Sequence, residues 1–197
     1  MIKAIIFDLN GVFLKSEYLT KRIEEKFNIP SDESLTVLKE SLKETRLNPK
    51  VKIFKYWRDL FEKYKINITE SEFLLFWFSG ESLVNDFVLL SQELRERGLE
   101  VYIFSNNFKE RTEYYRENFK EIFDNVNGAF FSWETGYVKS DPEAYTNLLN
   151  LIKVKPEEVI YFDDSKENIE LAKSIGIKGY VYIDFETTKD ILVKNSI

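Results

Sequence analysis

Neither cysteine nor histidine occurs among the 197 residues. The first absence removes disulfides, thiolate metal sites and cysteine nucleophiles. The second removes a Ser-His-Asp triad, the usual nitrogen ligands of zinc and a histidine general base. Any acid/base or metal chemistry therefore falls to carboxylates and lysine. Methionine and glutamine occur once each while Lys, Glu and Ile are plentiful, a balance that resembles heat-adapted proteins. No stretch approaches the roughly 20 apolar residues that span a bilayer. The opening MIKAIIFD is too short for a signal-peptide core and carries no small-residue cleavage site. A cytoplasmic protein without a membrane partner is expected. A basic stripe is also missing: the net charge is −6 with acids and bases interspersed, which disfavours a nucleic-acid partner.

What the chain does contain is a core. Hydrophobic residues make up 44%, aromatics 16% and charged residues 31%, the balance of a buried interior under a charged surface. The length suits one full-sized domain with a small insert. Five short apolar runs each stop at a polar residue: Ala4 to Phe7 before Asp8, Val101 to Phe104 before Ser105, Ala129 to Phe131 before Ser132, Val159 to Phe162 before Asp163, and Tyr180 to Ile183 before Asp184. They read as buried strands. Helical patterns lie between them, such as Phe87, Leu90 and Leu94 ending at Gly98, and Ile169, Ala172 and Ile175 ending at Gly176. Strands alternating with helices predict an α/β fold, a Rossmann-like parallel sheet with helices on both faces. Ligands of such sheets bind outside the carboxyl ends of the strands, where these terminal polar residues gather.

One interval breaks the rhythm. From about Leu14 to Leu83 the pattern is helical (Glu17 to Phe27, Ser31 to Thr45, Val51 to Lys65, Thr69 to Phe78) without a convincing strand. The division expected is a core of residues 1–13 and 84–197 and a helical insert of residues 14–83. Its expected hinges are Gly11 to Ser16 and Ser79 to Ser82. Aromatics crowd the insert, among them Trp57, Phe61 and Tyr64 at helical spacing, which suits either its own core or a substrate pocket. Arg46, Lys52 and Arg58 either reach an anionic substrate or lie in solvent.

The strand ends carry four segments of interest. FDLNG ends a strand at Asp8, with Asn10 two residues on and Gly11 permitting a sharp turn; its alternative is an ordinary Asx-type turn. FSNN places Ser105 and Asn106 at a second strand end, where either could cap a helix. KSDPE sets Lys139 before Asp141 and Pro142, a helix start at which a lysine is ordinarily solvated. YFDDS supplies the adjacent acids Asp163 and Asp164, which could serve as a cap or, because two acids repel, call for a cation.

In order and spacing these four segments resemble the motifs of the haloacid-dehalogenase superfamily. Gly98 to Asp184 looks most like a subgroup that includes bacterial α-glucose-1-phosphate phosphatases and the N-terminal phosphatase domain of soluble epoxide hydrolase. The resemblance implies a Mg²⁺-dependent phosphohydrolase acting on a small phosphorylated metabolite, such as a sugar phosphate, through an aspartyl-phosphate. It implies Asp8 as nucleophile, Ser105 and Asn106 at the phosphoryl group, and Lys139 neutralising both partners. The metal set it implies is Asp8, Asn10, Asp163, Asp164 and Asn168, with Asp164 the main side-chain ligand and Asp163 its support. The insert becomes a cap that closes over the site. Relatives usually carry aspartate where this chain has Asn10, so the ordinary acid/base group is missing and turnover is expected to be slow. Ser140 stands where proline is usual. Two other readings remain at this stage, a 2-haloacid dehalogenase and a non-catalytic phosphometabolite binder. A monomer or homodimer is expected.

Overall fold

The computed structural model describes residues 1–197. Its centre is a five-stranded parallel sheet of β1 (Ala4–Phe7), β4 (Glu100–Ser105), β5 (Gly128–Phe131), β6 (Val159–Asp163) and β7 (Lys178–Val181), in the spatial order β5-β4-β1-β6-β7. The chain starts at the middle strand, so β1 has β4 on one side and β6 on the other. Phe7 pairs with Ile103 and with Phe162, and the Asp8 N–H continues the ladder to the Phe162 carbonyl at 2.9 Å. That register brings the ends of three strands together, and such a change of winding direction is where open α/β sheets bind ligands.

Period-two alternation sends the strand residues to opposite faces. Ile5, Phe7, Val101, Ile103, Ile160 and Phe162 pack beneath α5 (Asn85–Glu96), α6 (Lys109–Asn118), α7 (Lys120–Asp124) and α11 (Phe185–Lys194). Ala4, Ile6, Tyr102, Phe104, Val159 and Tyr161 face α9 (Pro142–Ile152) and α10 (Lys166–Ser174), while the short helix α8 (Ser132–Thr135) directly follows β5. Every strand can be apolar because helices cover both faces. Gly98 and Gly176 follow α5 and α10 with φ of +83° and +97°, the left-handed conformation expected at a helix end. The last strand lies two residues earlier than its apolar run suggests. Gly179 permits close packing, since a Cβ there would sit 3.2 Å from Ile169, and Asp184 instead caps α11 by accepting from the Thr187 N–H at 2.7 Å.

Between β1 and α5 lie α1 (Leu19–Phe27), α2 (Ser31–Thr45), α3 (Phe54–Lys63) and α4 (Glu70–Phe78). They surround a cluster that includes Ile23, Ile53, Trp57, Phe61, Phe73, Trp77 and Phe78, closed by Phe108 from the loop after β4. Of the dense aromatics of this segment, Trp57, Phe61, Phe73, Trp77 and Phe78 are buried core, and Phe54, Tyr56, Tyr64 and Phe76 pack against it partly buried. The expectation of no strand here is corrected: β2 (Leu14–Ser16) and β3 (Glu81–Leu83) form an antiparallel ribbon at its base, with Leu14 opposite Leu83. Three-residue strands are too short to show a periodic pattern, and their partner is distant in sequence. No helix of the molecule is long and apolar enough to cross a membrane.

Candidate active site

Asp8 stands one residue beyond β1, nearly buried. Its Oδ1 accepts from the Leu9 N–H at 2.7 Å and pairs with Lys139 Nζ at 2.9 Å, while Oδ2 takes no hydrogen bond from the protein. Lys139 is 1% exposed, contrary to the ordinary solvated fate of a lysine before a helix start. Its ammonium bridges Asp8 and Asp163, the latter at 2.6 Å, against the rings of Phe104 and Tyr161. Burial alone would pull its pKa down, but the two carboxylates outweigh that and hold it above the ordinary lysine value. Burial also pushes Asp8 up to about 6, against the pull of Lys139 and with the help of the charges on Asp163 and Asp164.

Asp163 is fully buried and fully engaged. Oδ2 accepts from Lys139 Nζ and the Tyr161 hydroxyl; Oδ1 accepts from the Ser165 N–H at 2.8 Å and the Asn168 Nδ2 at 3.0 Å. Its burial is opposed by Lys139, which keeps the carboxyl below the ordinary range. Neither acid of the pair caps α10. Ser165 does, accepting from the Asn168 N–H at 3.2 Å. Asp164 is the exposed member, its carboxyl held above the ordinary value by partial burial and by the charge of Asp163. Oxygens of Asp8, Asp163 and Asp164 lie within 4.8 Å of one another. Gly11, at φ +89°, lets the turn after β1 pass so close that a Cβ there would sit 2.9 Å from Asp164 Oδ2.

Asp8, Asn10, Arg46, Ser105, Asn106, Arg111, Lys139, Asp164 and Asn168 line one cavity of about 290 Å³, with no hydrophobic residue among them. Ser105 and Asn106 are not caps, since α6 begins at Lys109. Asn106 Oδ1 accepts from the Lys139 N–H at 2.9 Å and so positions that residue. Beside them Ser132 fastens the loop after β4, accepting from the Asn107 N–H at 3.1 Å and donating to the Asn107 carbonyl at 3.0 Å. Asn10 Nδ2 donates to the Tyr115 hydroxyl.

Besides Asn168, two cavity residues come from outside the four segments. Arg111, on α6, holds Glu81 of β3 in a buried ion pair and also donates to Ser16 of β2 at 3.0 Å, joining the sheet domain to the ribbon. Sequence reading passed over it; a clue was its place one helical turn before Tyr115. Arg46 follows α2 and reaches the cavity from the insert. The other two cations weighed with it do not: Lys52 pairs with Glu110, and Arg58 pairs on the surface with Asp59 and Glu62.

Comparison with known proteins shows the family and the fold. The chain is 27% identical over 184 residues to a phosphorylated carbohydrates phosphatase of Thermotoga maritima, covering 90% of this chain and 83% of that one. It is 24% identical over 197 residues to bifunctional epoxide hydrolase 2 of Mus musculus, covering 89% of this chain but only 35% of that one. Among solved structures, a haloacid-dehalogenase-family enzyme of Bacteroides thetaiotaomicron superposes with a TM-score of 0.83 at 19% identity, covering 97% of this chain and 98% of that one. That enzyme has also been crystallised with magnesium and inorganic phosphate. The family description haloacid dehalogenase-like hydrolase matches residues 2–176, and the chain belongs to that family.

Proposed function

We propose that this hydrolase is a Mg²⁺-dependent phosphatase of small phosphorylated metabolites, with Asp8 as its nucleophile. One observation carries the reading: Asp8 has one oxygen fixed by Leu9 and Lys139 and the other free, at the edge of a cavity lined by no hydrophobic residue. The metal fits the donor set. Asp8 and Asp164 offer carboxylate oxygens, Asn168 an amide oxygen, and no nitrogen or sulfur ligand is near, which suits a hard cation. Asp163 would support the site from behind, its oxygens being occupied already. Bound there, Mg²⁺ would supply charge neutralisation to the phosphoryl oxygens.

The residues divide the work. Asp8 Oδ2 attacks phosphorus, the ester P–O bond breaks, and the alcohol leaves with a proton drawn from water. Water then cleaves the aspartyl-phosphate, returning Asp8 and inorganic phosphate. Lys139 keeps Asp8 ionised and lessens its repulsion toward the incoming phosphate. Ser105 donates to a phosphoryl oxygen. Asn10 cannot exchange a proton, so neither step has a carboxyl acid/base at that position. The insert of residues 14–83 serves as a cap that excludes bulky substrates, and the phosphatase names among the relatives support the same class.

The test uses purified protein with p-nitrophenyl phosphate and a panel of sugar and acid phosphates, with EDTA and then with Mg²⁺ restored. Hydrolysis that disappears with EDTA and returns with Mg²⁺ is expected, together with a sharply raised Mg²⁺ requirement in Asp164→Ala. Metal-independent release of chloride from 2-chloropropionate would assign a dehalogenase instead. Phosphate-ester binding without turnover would assign a binder.

A further inference from the structure

Three cations border the cavity, and two are already matched. Lys139 lies between Asp8 and Asp163, and Arg111 is paired with Glu81. Arg46 has no such partner. Its Nε is buried without a hydrogen bond, no carboxylate lies within ion-pair distance, and its guanidinium joins Asn10, Ser105 and Arg111 in lining the cavity. Burial and the nearby charge of Arg111 pull its pKa down, more than the charge of Asp8 raises it, so the protein pays to keep this cation where it is. A guanidinium stays charged under such pressure and still requires an anion. The two carboxylates open to the cavity, Asp8 and Asp164, are those that the proposed chemistry commits to phosphorus and metal.

We infer that Arg46 is a specificity-determining residue that receives a second anionic group of the substrate. The substrate is then a small, hydrophilic phosphate monoester that also carries a carboxylate or a second phosphate. This rests on the proposed function only in placing the ester phosphate at Asp8. Three features support it. Arg46 enters from the insert, so it faces the part of the ligand away from the sheet. No hydrophobic residue lines the cavity to receive a hydrophobic leaving group. A planar guanidinium also suits a carboxylate or phosphate in a two-point contact.

The experiment compares 3-phosphoglycerate with glycerol 3-phosphate, which differ in a carboxylate against a neutral hydroxymethyl group. Wild type, Arg46→Gln and Arg46→Lys are assayed for kcat/KM with Mg²⁺, and sugar bisphosphates are compared with monophosphates in the same way. Binding of each ester to Asp8→Asn is measured in parallel by calorimetry, alone and combined with Arg46→Gln. The expected result is a preference for the doubly anionic ester of about 10-fold or more, the scale of a charge-assisted hydrogen bond. Arg46→Gln should remove the preference and Arg46→Lys should retain part of it. Equal losses on both members of a pair would show that Arg46 holds the transferring phosphoryl group, overturning the inference. Absence of any preference in wild type, in both turnover and binding, would overturn it too. A binding preference that depends on Arg46 in a protein without turnover would uphold the inference while removing the proposed function.

Discussion

Asn10 and Tyr115 are joined by a hydrogen bond of 2.7 Å, Nδ2 donating to the phenolic oxygen, across a sequence separation of 105. Tyr115 is fully buried on α6, and burial drives its hydroxyl pKa far above the ordinary value, so it stays protonated and can also donate. A carboxylate at position 10 could therefore keep this partner with the direction of the bond reversed. Asn10→Asp is expected to raise steady-state turnover of p-nitrophenyl phosphate by about 10-fold or more, a conservative share of the usual general acid/base contribution. In the native protein the first step should outrun the second, giving a burst of p-nitrophenol before slow turnover. Stopped-flow absorbance checks both. Unchanged turnover in the variant with no burst in the native protein would mean that another group moves the proton.

Gly11 combines a left-handed backbone with a close approach to Asp164 Oδ2. Gly11→Ala would meet both the conformational cost of that φ, about 1–2 kcal/mol, and the carboxylate itself. The expected result is a modest loss of stability together with a several-fold weaker affinity for Mg²⁺, read by calorimetry without any substrate. A loss of stability with unchanged Mg²⁺ affinity would show that Asp164 can move aside without cost.

The Lys139–Asp163 pair is buried on both sides and reinforced by Tyr161, Ser165 and Asn168. Removing one charge strands the other away from water, a change that typically costs about 3–5 kcal/mol. Asp163→Asn should lower stability on that scale in urea unfolding and should reduce turnover, since Lys139 loses the acceptor that orients it. A loss below about 1 kcal/mol would mean that Asp8 alone suffices to hold the ammonium.

Trp57 lies at the centre of the insert's core, in contact with Phe61, Phe73 and Trp77, yet its indole N–H has no acceptor. Trp57→Ala is expected to cost about 3–5 kcal/mol through lost burial and the cavity left behind. Trp57→Phe should cost clearly less, because it removes an unsatisfied donor along with part of the ring. Thermal unfolding of the two variants gives the comparison; equal losses would point to an acceptor for the indole.

Much of the framework was present in local sequence. Apolar runs ending in Asp8, Ser105 and Asp163 reported buried parallel strands because helices cover both faces of the sheet, and the polar residue at each end marked where the cover stops. The α/β class and the polar strand ends both followed from that physics, and motif spacing added the family. Strand boundaries were less secure: the apolar character of Tyr182 and Ile183 extended the last run past its actual end, since hydrophobicity alone does not report which backbone groups pair.

Tertiary structure alone decided the partners. Whether Lys139 is solvated or buried between two acids depends on the meeting of β1 and β6 ends with a loop near position 139, and no local pattern encodes that meeting. The same holds for Asp163, whose four hydrogen bonds come from four different residues, and for the ribbon that pairs Leu14 with Leu83. It holds most clearly for the insert's cations. Arg46, Lys52 and Arg58 are equivalent as charges in a sequence; only the packing of α2 against the rest leaves Arg46 unpaired at the cavity while nearby acids neutralise the other two. Local sequence sets backbone preference and burial, which act over a few residues, whereas charge pairing depends on distances fixed only when the chain has closed on itself.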